Sequence, residues 1–257
     1  MPVIHIPESI QCPLEIHRGL PFLKAKVNGL EGLFLLDSGT ATLELSQDFL
    51  PQQATNSKAK KKRSICVDEF ALEEYRITQV EVSLFNGADL ENSFGVKCAG
   101  IIGFRELVHF NWVIDLPMRT ISFLRKLPLE SEEVTAKIRG RYRNHLPIFP
   151  VQIGSETYQL GITTGFPGLA FDKRLRKQLT PHLLESPRHQ KSHTLKYLSF
   201  EGHTFLKTNM LFGDLSELDL PQGGYDGIIG TPLLEQGPVI LDWNRRLLAF
   251  LNPGSND

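Results

Sequence analysis

The apolar run Gly32-Leu33-Phe34-Leu35-Leu36 ends in Asp37 and passes straight into Ser38-Gly39-Thr40, the pattern in this chain best suited to acid–base chemistry. A carboxylate at the end of a buried strand, on a tight turn that Gly39 permits, feels two opposing influences. Burial raises the cost of ionising it, while the N–H and hydroxyl groups of the turn favour the anion. That balance is how a carboxylate becomes an acid or base near neutral pH. Asp-Ser-Gly is also an ordinary turn sequence, so the surroundings must decide between the two.

The other chemistry-bearing residues carry weaker patterns. Of eight histidines, His189 and His193 stand four apart, with His182 upstream and His203 downstream, but their segment is polar and no cysteine or carboxylate sits at ligand spacing. They are expected to be surface histidines, and no metal or cofactor is implied. Cys66 follows a basic run at 58–63 (KAKKKR) that could lower its pKa, but no histidine partner is identifiable. The basic run itself is expected to be a solvated loop, since no stacking aromatics or glycine-rich cradle accompany it. GxGxxG and GxxxxGK[ST] patterns are absent, so nucleotide chemistry has no support. Among the remaining acids, Asp172 is expected to cap a helix, Asp226 to start a strand, and Asp115 and Asp242 to bind backbone or an arginine.

Composition narrows the classes further. Twenty-eight Lys and Arg against 29 Asp and Glu leave a net charge of -1, which excludes a globally basic nucleic-acid binder. With 41% hydrophobic and 22% charged residues, the chain can build real cores. No apolar run reaches the roughly 18 residues of a membrane helix, and the start lacks the pattern of a secretory signal. Three scattered cysteines cannot form a disulfide framework. A cytoplasmic location without nucleic-acid or membrane partners is the expectation.

What must position Asp37 emerges from comparing the chain with itself. GIIGFRELVHFNWVIDLPMRTISFL, from Gly100, aligns without gaps with GIIGTPLLEQGPVILDWNRRLLAFL, from Gly227, at an offset of 127 and with nine identities in 25 positions. Chance would give about one or two. Upstream, LPFLKAKVNGLEGLFLLDSGTATLEL from Leu20 pairs with LPIFPVQIGSETYQLGITTGFPGLAF from Leu146 at an offset of 126. The loop-to-GIIG spacing is also kept, 66 residues from Asp37 to Gly103 and 67 from Thr163 to Gly230. The duplication predicts an N-terminal lobe over 1–126, a charged linker at 127–144 forming a short helix or hinge, and a C-terminal lobe over 145–257.

Short runs rich in branched and aromatic residues (FLKAKV, GLFLLD, RITQVEVSLF, WVIDL, RTISFL, PVQI, PVILDW, LLAFL) are bounded by turn residues, which predicts strands. Helices are predicted only at 43–52 and 171–186. The fold class is therefore mainly β, two similar β-barrel lobes in tandem with few helices.

The apolar strand before Asp37-Ser38-Gly39-Thr40, Ile101-Ile102-Gly103 some 65 residues later, and the Asp-containing strand that follows resemble one lobe of the aspartic peptidases, the retropepsin-like group in particular. The doubling resembles the two related lobes of pepsin-like enzymes. The resemblance implies that Asp37 is catalytic in peptide-bond hydrolysis. It also implies that Ser38 and its counterpart Thr164 brace the two loops, and that Ile101, Ile102 and Gly103 with Ile228, Ile229 and Gly230 support them. The family's mechanism needs two carboxylates sharing a proton, one activating water and the other donating to the scissile carbonyl. In the second lobe Thr163-Thr164-Gly165 stands where that acid is required, and Thr163 carries no ionisable group near pH 7. Two functions follow. In one the chain is an aspartic endopeptidase whose second acid comes from a homodimer of first lobes or from an unrecognised residue. In the other it is an inactive relative that binds a peptide or serves as a scaffold. The family's cleft-covering hairpin would correspond to SICVDEFALEEYRITQV in the first lobe, without glycine, and to YLSFEGHTFLKTNML in the second, with Gly202 at its tip.

Overall fold

The computed structural model describes residues 3–49, 64–127, 134–184, 192–218, 220–221 and 223–251. Three sheets account for nearly all of its regular structure, with eight, six and seven strands. The eight-stranded sheet belongs to the first lobe and the seven-stranded one to the second.

Each lobe starts from a hairpin whose turn is written in the sequence. Leu20–Val27 and Leu30–Leu36 meet at Asn28-Gly29, both with positive φ, the geometry that suits the twist of a two-residue connection. Leu146–Ile153 and Glu156–Ile162 form the matching hairpin. Alternation of buried and exposed positions gives way at the ends of the second strands to continuous burial at Phe34, Leu35 and Leu36, and at Leu160, Gly161 and Ile162. These ends lie inside a sheet, covered on both faces. Beside them, in parallel, run Gly100–Ile102 and Gly227–Ile229, with Leu36 opposite Ile102 and Ile162 opposite Ile229. Glu44–Ser46 and Leu169–Asp172 flank the far side of those short strands. The two aspartate-position loops therefore leave equivalent points of equivalent sheets.

The six-stranded sheet joins the lobes. Its order is Val134–Arg139, Leu247–Leu251, Val239–Asp242, Asn111–Asp115, Thr120–Leu124, Ser9–Pro13, so each lobe supplies repeat-related strands and Trp112 sits opposite Leu241 at the centre. Ile121 opposite Cys12 in one half is matched by Leu248 opposite Ile138 in the other. Residues 134–139 are thus the repeat counterpart of a strand near the amino terminus. For 134–144 this corrects the expectation of a helix or hinge over 127–144, while 128–133 lie outside the described residues. Val134–Arg139 and Arg141–Arg143 are strands, and their charges misled because only Ile138 of VTAKIR is fully buried. A sheet with one exposed face tolerates charges at alternate positions.

Both predicted helices are also corrected. Glu44–Ser46 within 43–52 is a strand, because its backbone groups pair with Gly100–Ile101 on one side and Ser83–Phe85 on the other. In 171–186, Phe171 and Asp172 close the strand Leu169–Asp172, three short helical turns follow from Lys173 to His182 with Pro181 in the last, and 185–186 lie outside the described residues. Two α-helices among the described residues, Gly87–Phe94 and the one-turn Phe104–Leu107, lie outside both predicted ranges. Gly87–Phe94 is capped by the Asn86 side chain and stopped by Gly95 at φ 72. Among the phenylalanines of the strands, Phe22, Phe34, Phe70, Phe123, Phe171 and Phe250 are core, fully or almost fully buried. The basic run at 58–63 and His189 lie outside the described residues.

Candidate active-site cleft between the lobes

The strand ends Leu36 and Ile162 deliver Asp37 and Thr163 to one point, where the two loops meet. Each loop is anchored from below in the same way. Asp37 N–H donates to the Ile102 carbonyl and Thr163 N–H to that of Ile229, both at 3.1 Å. Phe104 N–H donates to Thr40 O and Thr231 N–H to Phe166 O, both at 2.9 Å. Gly103 and Gly230 lie against the loop carbonyls, with no room for a side chain. Ile101-Ile102-Gly103 and Ile228-Ile229-Gly230 run beneath the two loops.

Ser38 and Thr164 are buried and hold each other in a reciprocal set of hydrogen bonds. Thr164 Oγ1 donates to Leu36 O at 2.7 Å and accepts from Ser38 N–H at 3.0 Å. Ser38 Oγ accepts from Thr164 N–H at 3.1 Å and donates to Ile162 O at 3.4 Å. Each hydroxyl thus serves as both donor and acceptor for the opposite loop, and both loop N–H groups are paired with them.

Above this brace, Asp37 is half-buried and the second lobe meets it with a hydroxyl. Thr163 Oγ1 donates to Asp37 Oδ1 at 2.6 Å. Gly39 N–H at 2.8 Å and Gly165 N–H at 3.2 Å reach the same oxygen, and Thr40 Oγ1 donates to Oδ2 at 2.9 Å. Gly39 and Gly165 are glycines because the loops approach too closely for anything larger. A Cβ on Gly39 would overlap Thr163 Oγ1, and one on Gly165 would overlap the Asp37 carboxyl. No second carboxylate hydrogen-bonds Asp37 among the described residues. Asp172 caps a helical turn through Arg174 N–H, and Asp226 binds Gln159 N–H and Arg174. Asp115 accepts from Met118 N–H, and Asp242 accepts from Arg245 N–H and pairs with its guanidinium. All four play the structural parts expected of them, and no group of three or more potential ligands gathers as a metal site among the described residues.

A cleft of about 370 Å³ opens over Asp37. Besides Asp37, Gly39, Thr40, Thr163, Ile101 and Ile228 it is lined by Ala41, Glu44, His145, Phe166, Leu218 and Leu220. The last six were not identified from the sequence, since nothing in their spacing marks them. His145 had one available cue, its place directly before the repeated Leu-Pro. Its Nε2 lies 2.6 Å from Gly39 O, tying the start of the second lobe to the first-lobe loop.

Neither expected covering hairpin lines this cleft. Ser64–Leu72 and Tyr75–Phe85 turn at Glu73-Glu74, where Phe70 lies opposite Val27, next to the Asn28-Gly29 turn. That turn is at the other end of Leu30–Leu36 from Asp37, roughly 20 Å away at the rise of a strand. Tyr75 is buried there against Phe110, donating to Glu106 O at 2.6 Å. In the second lobe His203, just past Gly202, stacks on Phe250 of the joining sheet at 4.0 Å. Neither tip is part of the described cleft lining.

Geometry and topology together define a two-lobe pepsin-like fold with a loop from each lobe meeting at the cleft floor. No protein-family model matches the chain, and no curated protein does. Among solved structures it is similar to Basic 7S globulin from soybean, with a TM-score of 0.57 over 95% of this chain and 94% of that one, at 11% identity. At that identity the likeness is one of fold.

Proposed function

We propose that the chain is a non-catalytic polypeptide-binding protein built on a pepsin-like fold, holding an extended peptide in the interlobe cleft without cutting it. One observation carries the reading, the Thr163 hydroxyl 2.6 Å from Asp37 Oδ1. Two carboxylates facing each other share a proton because both cannot ionise, and that proton is what the family's mechanism moves to the scissile carbonyl. A hydroxyl supplies no second anion and already commits its hydrogen to Asp37. A homodimer of first lobes is an unfavourable source of the missing acid, since the attached second lobe holds that face of the Asp37 loop at high effective concentration. The apolar walls Phe166, Leu218 and Leu220 suit side chains of a bound strand.

Hydrolysis is the second reading, favoured by the retention of a half-buried Asp37 that lines the cleft. One assay separates them. A quenched peptide library is incubated from acid to neutral pH with wild type, Asp37→Asn and Thr163→Asp. No cleavage by wild type and new cleavage by Thr163→Asp is the expected result. Wild-type cleavage that Asp37→Asn abolishes would favour hydrolysis instead.

A further inference from the structure

We propose that the cleft selects a peptide in which a lysine or arginine adjoins bulky apolar residues, the cation meeting Asp37. This rests on the reading of the cleft as a site that binds without hydrolysing.

The hydrogen bonds of Asp37 are unevenly shared. An ionised carboxylate offers about four acceptor positions, two on each oxygen. Oδ1 accepts from Gly39 N–H, Gly165 N–H and Thr163 Oγ1, at 2.8, 3.2 and 2.6 Å. Among the described residues Oδ2 accepts only from Thr40 Oγ1. The unused capacity is therefore on Oδ2, in a side chain that lines the cleft. In a two-carboxylate site a shared proton would partly satisfy such an oxygen. Here Thr163 gives its hydrogen to Oδ1, so a ligand that displaces water from the cleft must itself supply a donor for Oδ2.

The rest of the cleft narrows the donor. Its described lining contains two carboxylates, Asp37 and Glu44, one imidazole, His145, and no lysine or arginine. His145 Nε2 is already turned to Gly39 O. An acidic ligand would meet like charge. A neutral amide could donate to Oδ2, but an ammonium or guanidinium gains a charge-assisted bond about twice as strong. The methylene stems of lysine and arginine pack well on walls such as Leu218, Leu220 and Phe166 while their charged ends reach a polar floor.

The test uses the full chain and three fluorescent six-residue peptides, acetyl-Ala-Leu-Phe-X-Leu-Ala-amide, with X as lysine, acetyl-lysine or glutamate. Anisotropy should give the lysine peptide an affinity about tenfold above the acetyl-lysine peptide, with glutamate weakest and the gap narrowing as salt rises. Asp37→Asn should bring the lysine and acetyl-lysine affinities together, and Phe166→Ala should weaken all three. Equal binding of the three peptides, or an undiminished lysine preference in Asp37→Asn, overturns the cation assignment. If Phe166→Ala still weakens binding in that case, the cleft reading stands. Saturable binding by none of the three overturns both. The comparison of lysine with acetyl-lysine changes only the ligand, so it holds even if Asp37→Asn fails to fold.

Discussion

At the residue scale, two side chains repay attention for opposite reasons. Thr163 is buried and donates across the lobe interface, so Thr163→Val keeps the volume and deletes the hydrogen bond. Asp37 Oδ1 would retain two N–H donors, and the expected loss is about 1–3 kcal/mol, read from denaturant unfolding. Glu106 is buried outside the cleft, and its Oε2 has no hydrogen-bond partner among the described residues. Burial, opposed by backbone N–H groups and Arg105, holds its pKa above the ordinary 4.5. The folded state then keeps the Glu106 proton at pH values where the unfolded chain has released it. Its contribution is fully present below pH 4.5 and declines as pH rises through the raised folded value. Glu106→Gln should flatten this part of the stability profile and raise stability at neutral pH, measured by chemical denaturation across pH.

At the element scale, the informative segment is Val134–Arg139. As a strand of the joining sheet it should be sensitive at one position and tolerant at its neighbour. Ile138→Ala empties a fully buried site and should cost about 2–5 kcal/mol, whereas Arg139→Ala, on the exposed side, should stay within about 0.5 kcal/mol. Thermal melts of the two variants check this, and equal small effects would restore the hinge. The same segment shows where sequence reading reaches its limit. Hairpins with Asn28-Gly29 or Gly154 turns and dense apolar alternation were legible because their signals are local. A strand with one fully buried residue in six carries too weak a period, and its partner Leu247–Leu251 lies more than a hundred residues away. The covering hairpins failed for a related reason. Their strands were recognisable, but the direction in which a hairpin tip points is set by the sheet in which it pairs.

At the scale of the whole molecule, the two lobes share one sheet and one core. Ile138, Trp112, Phe34, Phe171 and Trp243 belong to a single cluster of buried residues spanning both lobes. The Trp112 and Trp243 rings meet edge to face at 4.8 Å. Separating the lobes would expose this cluster and break the Ser38–Thr164 brace together. Unfolding should therefore be one transition, with tryptophan fluorescence and far-ultraviolet dichroism following the same curve. Two resolved steps would show lobes that fold independently.

The sequence by itself determined the duplication, the two loops with their supporting GIIG segments, and the absence of an acid at Thr163. Each of these is carried by residue identity at a fixed spacing, which needs no knowledge of contacts. Only the tertiary structure decided that Thr163 meets Asp37 directly, and that Leu218, Leu220, Phe166 and His145 build the cleft. It alone made the charged segment a strand and sent both hairpins away from the site. Those outcomes depend on closing the barrels and pairing their strands into one sheet. Residues far apart in the chain become neighbours there through burial and hydrogen bonding that no local pattern encodes.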